Sequence, residues 1–286
     1  MSFLSKKEIY SLLQKYSVRP DKKRGQSFLT NRYVAKKIVD AAKISDSDIV
    51  LEIGGGLGIL SEWLAKYAQK LFIIEIETGL VQALKDLFEH QNHVAIIEGD
   101  ALEVDFPRIN KVVANLPYSI SSEITFRILK KIDFEVAILM YQKEFADRLV
   151  AKPGSRKYSR LTIDFQYYAH AEKIMDVPSN AFYPEPAVTS TVVKITKREE
   201  KMFVKSEDVF FKLVHGIYPY PKKQLGNALK IWLERLDLNS DLSRLILKNT
   251  AGIEGNERLR EIPQESLIRI SNTIADLIQE GRMPNL

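Results

Sequence analysis

Ile49-Val50-Leu51-Glu52-Ile53-Gly54-Gly55-Gly56-Leu57-Gly58 is the stretch that decides the fold. Four apolar residues, three of them β-branched, and Glu52 run straight into four glycines within five positions, and 58–68 then carries helical spacing. Glycine tolerates positive φ and lets a turn tighten or a ligand approach the backbone. A helix is expected before this unit at 31–43, with Val34, Ile38, Val39 and Ala42 at helical spacing. After it, strand and helix patterns alternate: strand 71–76, helix 78–89, strand 93–97, strand 111–114, helix 121–131, strand 136–140. Apolar strands separated by helices of this length predict an α/β fold, a doubly wound parallel sheet covered on both faces. Two further strands, near 161–168 and 188–195, are expected to add antiparallel at the edge. Beyond the polar linker Lys197-Arg198-Glu199-Glu200-Lys201, helical patterns at 206–216, 223–236, 239–248 and 264–280 predict a small all-helical C-terminal domain. The expected organisation is a basic arm at 1–25, an α/β domain at 26–197 and a helical domain at 198–286.

Composition narrows the chemistry. The chain of 286 residues is 45% hydrophobic, enough for a sizeable core. It has no cysteine, which excludes disulfides, thiolate metal sites and Cys nucleophiles. His90, His93, His170 and His215 form no metal-ligand spacing, so no metal is expected. No apolar run approaches the roughly 20 residues of a membrane-spanning helix. Met1-Ser2-Phe3-Leu4 runs at once into Lys6-Lys7-Glu8, unlike a signal peptide, so a cytoplasmic protein is expected.

The net charge of +5 is unevenly spread. Residues 1–25 hold seven Lys/Arg against Glu8 and Asp21, and residues 143–160 hold six against Glu144 and Asp147. Residues 50–115 carry ten acids against five bases. Basic edges around an acidic centre suit a polyanion gripped outside and something else held in the middle; the same runs also read as solvated faces.

The glycine run does not fit the dinucleotide pattern Gly-x-Gly-x-x-Gly in any register, because the sixth position falls on Ile59 or Ser61. It reads Glu-x-Gly-x-Gly-x-Gly, with Glu75 ending the second strand and Asp100 following the third. That pattern matches the S-adenosylmethionine site of doubly wound methyltransferases. Such groups sit at the carboxyl ends of parallel strands, where these sheets open their ligand crevice. Glu75 can accept both ribose hydroxyls, Asp100 can accept from the adenine amino group, and an acidic pocket suits a sulfonium cation.

Asn115-Leu116-Pro117-Tyr118 leaves the strand at 111–114. The Asn115 side-chain oxygen and Leu116 carbonyl can each accept from an exocyclic amine such as adenine's, whose lone pair is otherwise delocalised. Pro117 stiffens the turn and Tyr118 can stack on the base. Read alone, the tetrapeptide is also an ordinary Asn/Pro turn.

Taken in series, these motifs resemble the ribosomal RNA adenine-N6 dimethyltransferases, the 16S/18S dimethyladenosine transferases and their 23S resistance cousins, over nearly the whole chain. Lys23-Arg24-Gly25-Gln26-Ser27-Phe28-Leu29 is similar to that family's amino-terminal motif, with Ser27 in place of Asn. Asn115 through Ser121 matches its catalytic motif, Gln142-Lys143-Glu144 and Tyr158-Ser159-Arg160-Leu161 sit where the family has similar segments, and Phe182 matches its target-loop aromatic, with Asn180 in place of Ser. The resemblance implies a Rossmann-like S-adenosylmethionine-dependent methyltransferase domain with a small helical domain. It implies cofactor contacts from Ser27, Leu29, Gly54, Gly56, Gly58, Glu75, Asp100, Ala101 and Asn115. Asn115, Leu116, Pro117 and Tyr118 would hold the target amine, with Phe182 on the opposite face of the base. Lys22, Lys23, Arg24, Lys152, Arg156, Lys157 and Arg160 would grip phosphates.

The implied reaction is dimethylation of N6 on two adjacent adenosines in the 3′-terminal hairpin of small-subunit rRNA during ribosome biogenesis. The partner would be rRNA or the immature small subunit, met by a monomer without metal or membrane. Pro221 and Gly226 stand where the family often has Arg, which puts RNA contacts of the helical domain in question. The alternatives are a ribosome-assembly factor in which catalysis is secondary, and a 23S rRNA adenine-N6 methyltransferase; DNA adenine and protein glutamine methyltransferases use a similar tetrapeptide.

Overall fold

The computed structural model describes residues 6–20, 26–199 and 203–286. They fall into two compact units, one of the described residues up to Ala146 with Ala169–Lys197, the other of Asp147–Tyr168 with the described residues from Arg198 to Leu286. The first unit begins with α1 (Lys6–Lys15), β1 (Phe28–Leu29), α2 (Arg32–Ala42), β2 (Ile49–Ile53), α3 (Ser61–Tyr67) and β3 (Lys70–Glu75). It continues through α4 (Thr78–Leu87), β4 (Val94–Glu98), β5 (Lys111–Asn115), α5 (Ser121–Lys131) and β6 (Val136–Gln142). α6 (Lys143–Leu149) and α7 (Arg160–Tyr168) follow, then β7 (Ala169–Val177), β8 (Phe182–Tyr183) and β9 (Ser190–Lys197). α8 (Glu207–Ile217), α9 (Leu225–Arg235), α10 (Leu242–Asn249) and α11 (Gln264–Gln279) complete the chain.

Seven strands pair in the order β4-β3-β2-β5-β6-β9-β7. The first five are parallel; β9 pairs antiparallel with both β6 and β7, so it alone runs against the others. Alternation along β6 shows the double cover. Ile138 and Met140 join the core cluster that α2 supplies with Val34, Ile38 and Val39. Tyr141, pointing the other way, meets Thr125 of α5 hydroxyl to hydroxyl at 2.8 Å. The Asn31 side chain caps α2 by accepting from the Tyr33 and Val34 N–H groups. The order reverses between β2 and β5, a topological switch point where such sheets bind ligands.

At the amino ends of those two strands, Lys111 Nζ lies 2.8 Å from Asp48 Oδ2, and Asn110 Nδ2 donates to Asp48 Oδ1 at 2.6 Å. Burial alone would raise the Asp48 carboxyl, but hydrogen bonds from Lys111, Ser45 and Asn110 hold it down at about 2. Its folded pKa is below its unfolded value near 3.9, so the stabilisation is present above that value and is lost as pH falls towards 2. The loss should be about 2 kcal/mol. Unfolding free energies at pH 5 and pH 2.5 check it: the acid-induced drop should shrink by that amount in Asp48→Asn, and an equal drop in both proteins would refute it.

The structure departs from the sequence expectations in three places. Residues 161–168 form helix α7, not a strand. Leu161, Ile163, Phe165 and Tyr167 alternate as a strand would, but Ile163 and Tyr167 also stand one helical turn apart and enter the second unit's core. The strand that pairs with β9 is the next segment, β7. Consequently 26–197 is not one continuous domain, because 147–168 belongs with the helices. The described part of the basic arm at 1–25 is also packed: α1 buries Ile9 and Leu13 against Val18, Phe28 and Leu80. Gly79 of α4 permits this approach, since a Cβ there would lie 2.3 Å from the Tyr16 carbonyl oxygen.

The second unit has its own core. Phe210, Leu213 and Ile217 of α8 pack with Leu229 and Trp232 of α9, Ile246 of α10, and Leu267, Ile270 and Ile274 of α11.

Candidate active site

At the carboxyl ends of β2, β3 and β5 the first unit contains a cavity of about 390 Å³. Gly54 and Gly56 line it, and with Gly58 they take φ +79°, +54° and +79°, where a side chain would be strained; Gly58, expected from the sequence to touch the cofactor, is not on the cavity wall, and a Cβ there would meet Leu87 of α4. A Cβ on Gly54 would lie 3.8 Å from the Asn115 carbonyl oxygen and 3.9 Å from Pro117 Cδ, so the loop directly faces the turn leaving β5.

Glu75 holds the loop's shape. Its Oε2 accepts from Gly56 N–H at 2.9 Å, and its Oε1 from Ile76 and Glu77 N–H at 2.9 and 3.1 Å. Burial raises this carboxyl above its ordinary value, and the three N–H groups offset part of that rise. Asp100 uses Oδ1 to accept from Leu102 N–H at 2.8 Å, which leaves Oδ2 for a ligand. Ala101 lies beside it on the cavity wall, as do Ser27 and Leu29.

Glu52, quoted in the motif but assigned no role from sequence, also lines the cavity. It is 1% exposed, and its Oε2 has no hydrogen-bond partner among the described residues. Burial pushes its carboxyl well above the usual range, with Glu75 adding to the rise. An orphaned buried carboxyl oxygen, two further acids and a glycine cradle together fit a cationic nucleoside such as S-adenosylmethionine. Phe28 and Ile76, which the sequence did not single out, supply apolar wall. The signal was available for Ile76, the residue after the acid that ends β3.

The Asn115 turn is fixed from two distant segments. Asn115 Nδ2 donates to the Ser27 carbonyl at 3.2 Å, leaving Oδ1 without a partner among the described residues. Tyr118 and Ser190 of β9 meet hydroxyl to hydroxyl at 2.6 Å, which sets the ring's orientation. Ser121 Oγ and Ile120 N–H both donate to the Pro117 carbonyl and close the turn. Leu116 is buried as a residue and lines the cavity.

Phe182 stands elsewhere. Through β8 it pairs opposite Leu29, and its ring is buried in the core cluster rather than on the cavity wall. Thr30 reinforces this pairing, donating to the Ala181 carbonyl from both its N–H and its hydroxyl. Lys22, Lys23 and Arg24 lie outside the described residues. Lys152, Arg156, Lys157 and Arg160 are exposed on the second unit, in the loop before α7 and at its first residue. Among the described residues no cluster of His, Cys, Asp and Glu could hold a metal ion, and no helix is long and apolar enough to cross a membrane.

Comparison with known proteins points the same way. The model of the ribosomal RNA adenine dimethylase family matches residues 19–276. A probable ribosomal RNA small subunit methyltransferase A of Methanosarcina mazei is 41% identical over 269 residues, covering 94% of this chain and 98% of the relative. A protein of the same description from Methanococcus maripaludis is 42% identical over 268 residues, covering 91% and 100%. A dimethyladenosine transferase from Plasmodium falciparum superposes with TM-score 0.77 at 29% identity, covering 89% and 98%. The 23S rRNA methyltransferase ErmE superposes with TM-score 0.65 at 22% identity over 87% and 99%, a likeness of fold.

Proposed function

Because the chain belongs to the ribosomal RNA adenine dimethylase family, we infer that this cavity is the active site of a small-subunit rRNA adenine-N6 dimethyltransferase dependent on S-adenosylmethionine. The finer reading is that it acts on two adjacent adenosines of the 3′-terminal hairpin, as a monomer, on the immature small subunit in the cytoplasm.

When bound, S-adenosylmethionine supplies a methyl group activated by the sulfonium. Glu75 and Asp100 would hold the ribose and adenine, with the glycine loop and the acidic wall receiving the rest. Asn115 Oδ1 and the Leu116 carbonyl would accept from the target NH2, drawing its lone pair onto nitrogen. Tyr118, its hydroxyl fixed by Ser190, would stack on the base. The amine becomes more acidic as it is alkylated, so water can take the proton and no strong base is required. Alignment of the reacting atoms then supplies much of the rate. The target must be unstacked to enter.

The observation that carries this reading is Asn115, anchored through Nδ2 with Oδ1 left open, on the strand next to the glycine loop across the switch point. Transfer from labelled S-adenosylmethionine to under-methylated small subunits, followed by nucleoside mass spectrometry, tests it. N6,N6-dimethyladenosine should appear. Cofactor binding without transfer to subunits, naked rRNA or DNA would overturn the enzymatic reading and favour an assembly factor.

A further inference from the structure

The outer surface of α2 and α3 interleaves aromatic rings with lysines, and none of these side chains lines the cavity. Tyr33 is 66% and Tyr67 40% exposed, unusual for large rings on a folded surface, and Trp63 lies half-buried between them in character. Lysines stand over the rings. Lys37 Nζ is 4.5 Å from the Tyr33 centroid, and Lys66 Nζ 4.3 Å from that of Trp63. Lys36 joins the two helices, 5.9 Å from the Trp63 centroid and close enough to Tyr67 for its charge to be felt there.

The acids of this face are already engaged. Asp40 pairs with Lys36, and Glu62 with Arg32. Lys37 and Lys66 have no carboxylate partner among the described residues, so the face offers uncommitted positive charge beside exposed π-surfaces. No aliphatic side chain is prominently exposed on it, which disfavours an apolar protein partner. Rings for stacking and cations for phosphates are what an unpaired nucleic-acid strand requires.

We propose that the α2–α3 face is a second RNA-contact surface, separate from the active site, which takes unstacked bases on Tyr33, Trp63 and Tyr67 and phosphates on Lys37 and Lys66. It rests on the reading of the chain as an rRNA enzyme and extends it from the target base to a single-stranded or bulged segment of the substrate.

Trp63 reports on this surface, because the chain's other tryptophan, Trp232, is 4% exposed in the second unit's core. Oligouridine of twelve nucleotides, which carries no adenine amine to methylate, is titrated into the full chain while tryptophan fluorescence is followed. Quenching should be saturable. Lys37→Glu with Lys66→Glu should weaken it at least tenfold and lower the salt slope by about 1.4, two contacts at about 0.7 each. Lys37→Arg with Lys66→Arg should retain it, which separates lost contact from lost fold. Absence of quenching overturns the inference, and so does equal quenching by polyglutamate, which has charge but no bases. A protein that methylates subunits but is not quenched refutes this surface alone; one that does neither refutes the enzymatic reading as well.

Discussion

Asn115→Ala should lower methyl transfer to small subunits by about 10²–10³-fold, the usual consequence of deleting one preorganised polar group aimed at a reacting atom. The fall should appear chiefly in kcat, because the missing acceptor matters most as the amine's lone pair leaves the ring. Folding should survive. The side chain is half-exposed, and its loss removes one 3.2 Å hydrogen bond to the Ser27 carbonyl, about 1 kcal/mol. Asn115→Asp should fare little better: a carboxylate keeps an acceptor but has no N–H for Ser27, so the anchor becomes a repulsion between oxygens. Single-turnover transfer, measured beside a thermal melt, checks both variants. Wild-type turnover in Asn115→Ala would sink the acceptor role.

Glu75→Gln should weaken S-adenosylmethionine binding by roughly 100-fold, nearly as much as Glu75→Ala. Both carboxyl oxygens already accept backbone N–H groups, from Gly56 on one side and from Ile76 and Glu77 on the other. Whichever oxygen becomes NH2 therefore sets donor against donor and disturbs the loop as well as the ribose contact. Hydrogen bonds to charged groups contribute about 1.5–3 kcal/mol, and about 2.7 kcal/mol is 100-fold in Kd. Calorimetric titration of the cofactor measures it. An unchanged Kd in Glu75→Gln would remove Glu75 from the binding site.

The two variants also separate the parts of the site. One leaves the cavity able to bind but not to align the amine, and the other empties the cavity while the β5 turn stays in place. Transfer to subunits should fall in both cases, but only the Glu75 variants should recover it at raised cofactor concentration.

Much of the site was legible because its residues sit where strands end. The glycine loop, Glu75, Asp100 and Asn115 each follow an apolar run, and the rules of parallel sheets bring those ends together. The fold class followed from the same periodicities. The partners that hold these residues were not legible. Ser27 and Asn115 are 88 positions apart, and Tyr118 and Ser190 are 72 apart. Phe182 carried a sequence signature for the active site, yet opposite Leu29 its ring is buried in the core. At 161–168, alternation and aromatic content resembled a strand, and the available core selected a helix instead.

The sequence by itself therefore determined the doubly wound sheet, the strand ends that line the cavity and the helical character of the last ninety or so residues, since period, glycine and proline act through local backbone geometry. Only the tertiary structure decided that α1 packs on α4, that α7 leaves the first unit for the second, that Glu52 keeps an unpartnered buried oxygen, and that Asn115 engages Nδ2 with the Ser27 carbonyl and leaves Oδ1 open. Each of those outcomes depends on which distant group occupies the space beside a residue, and burial and hydrogen bonding settle that once the chain has closed on itself.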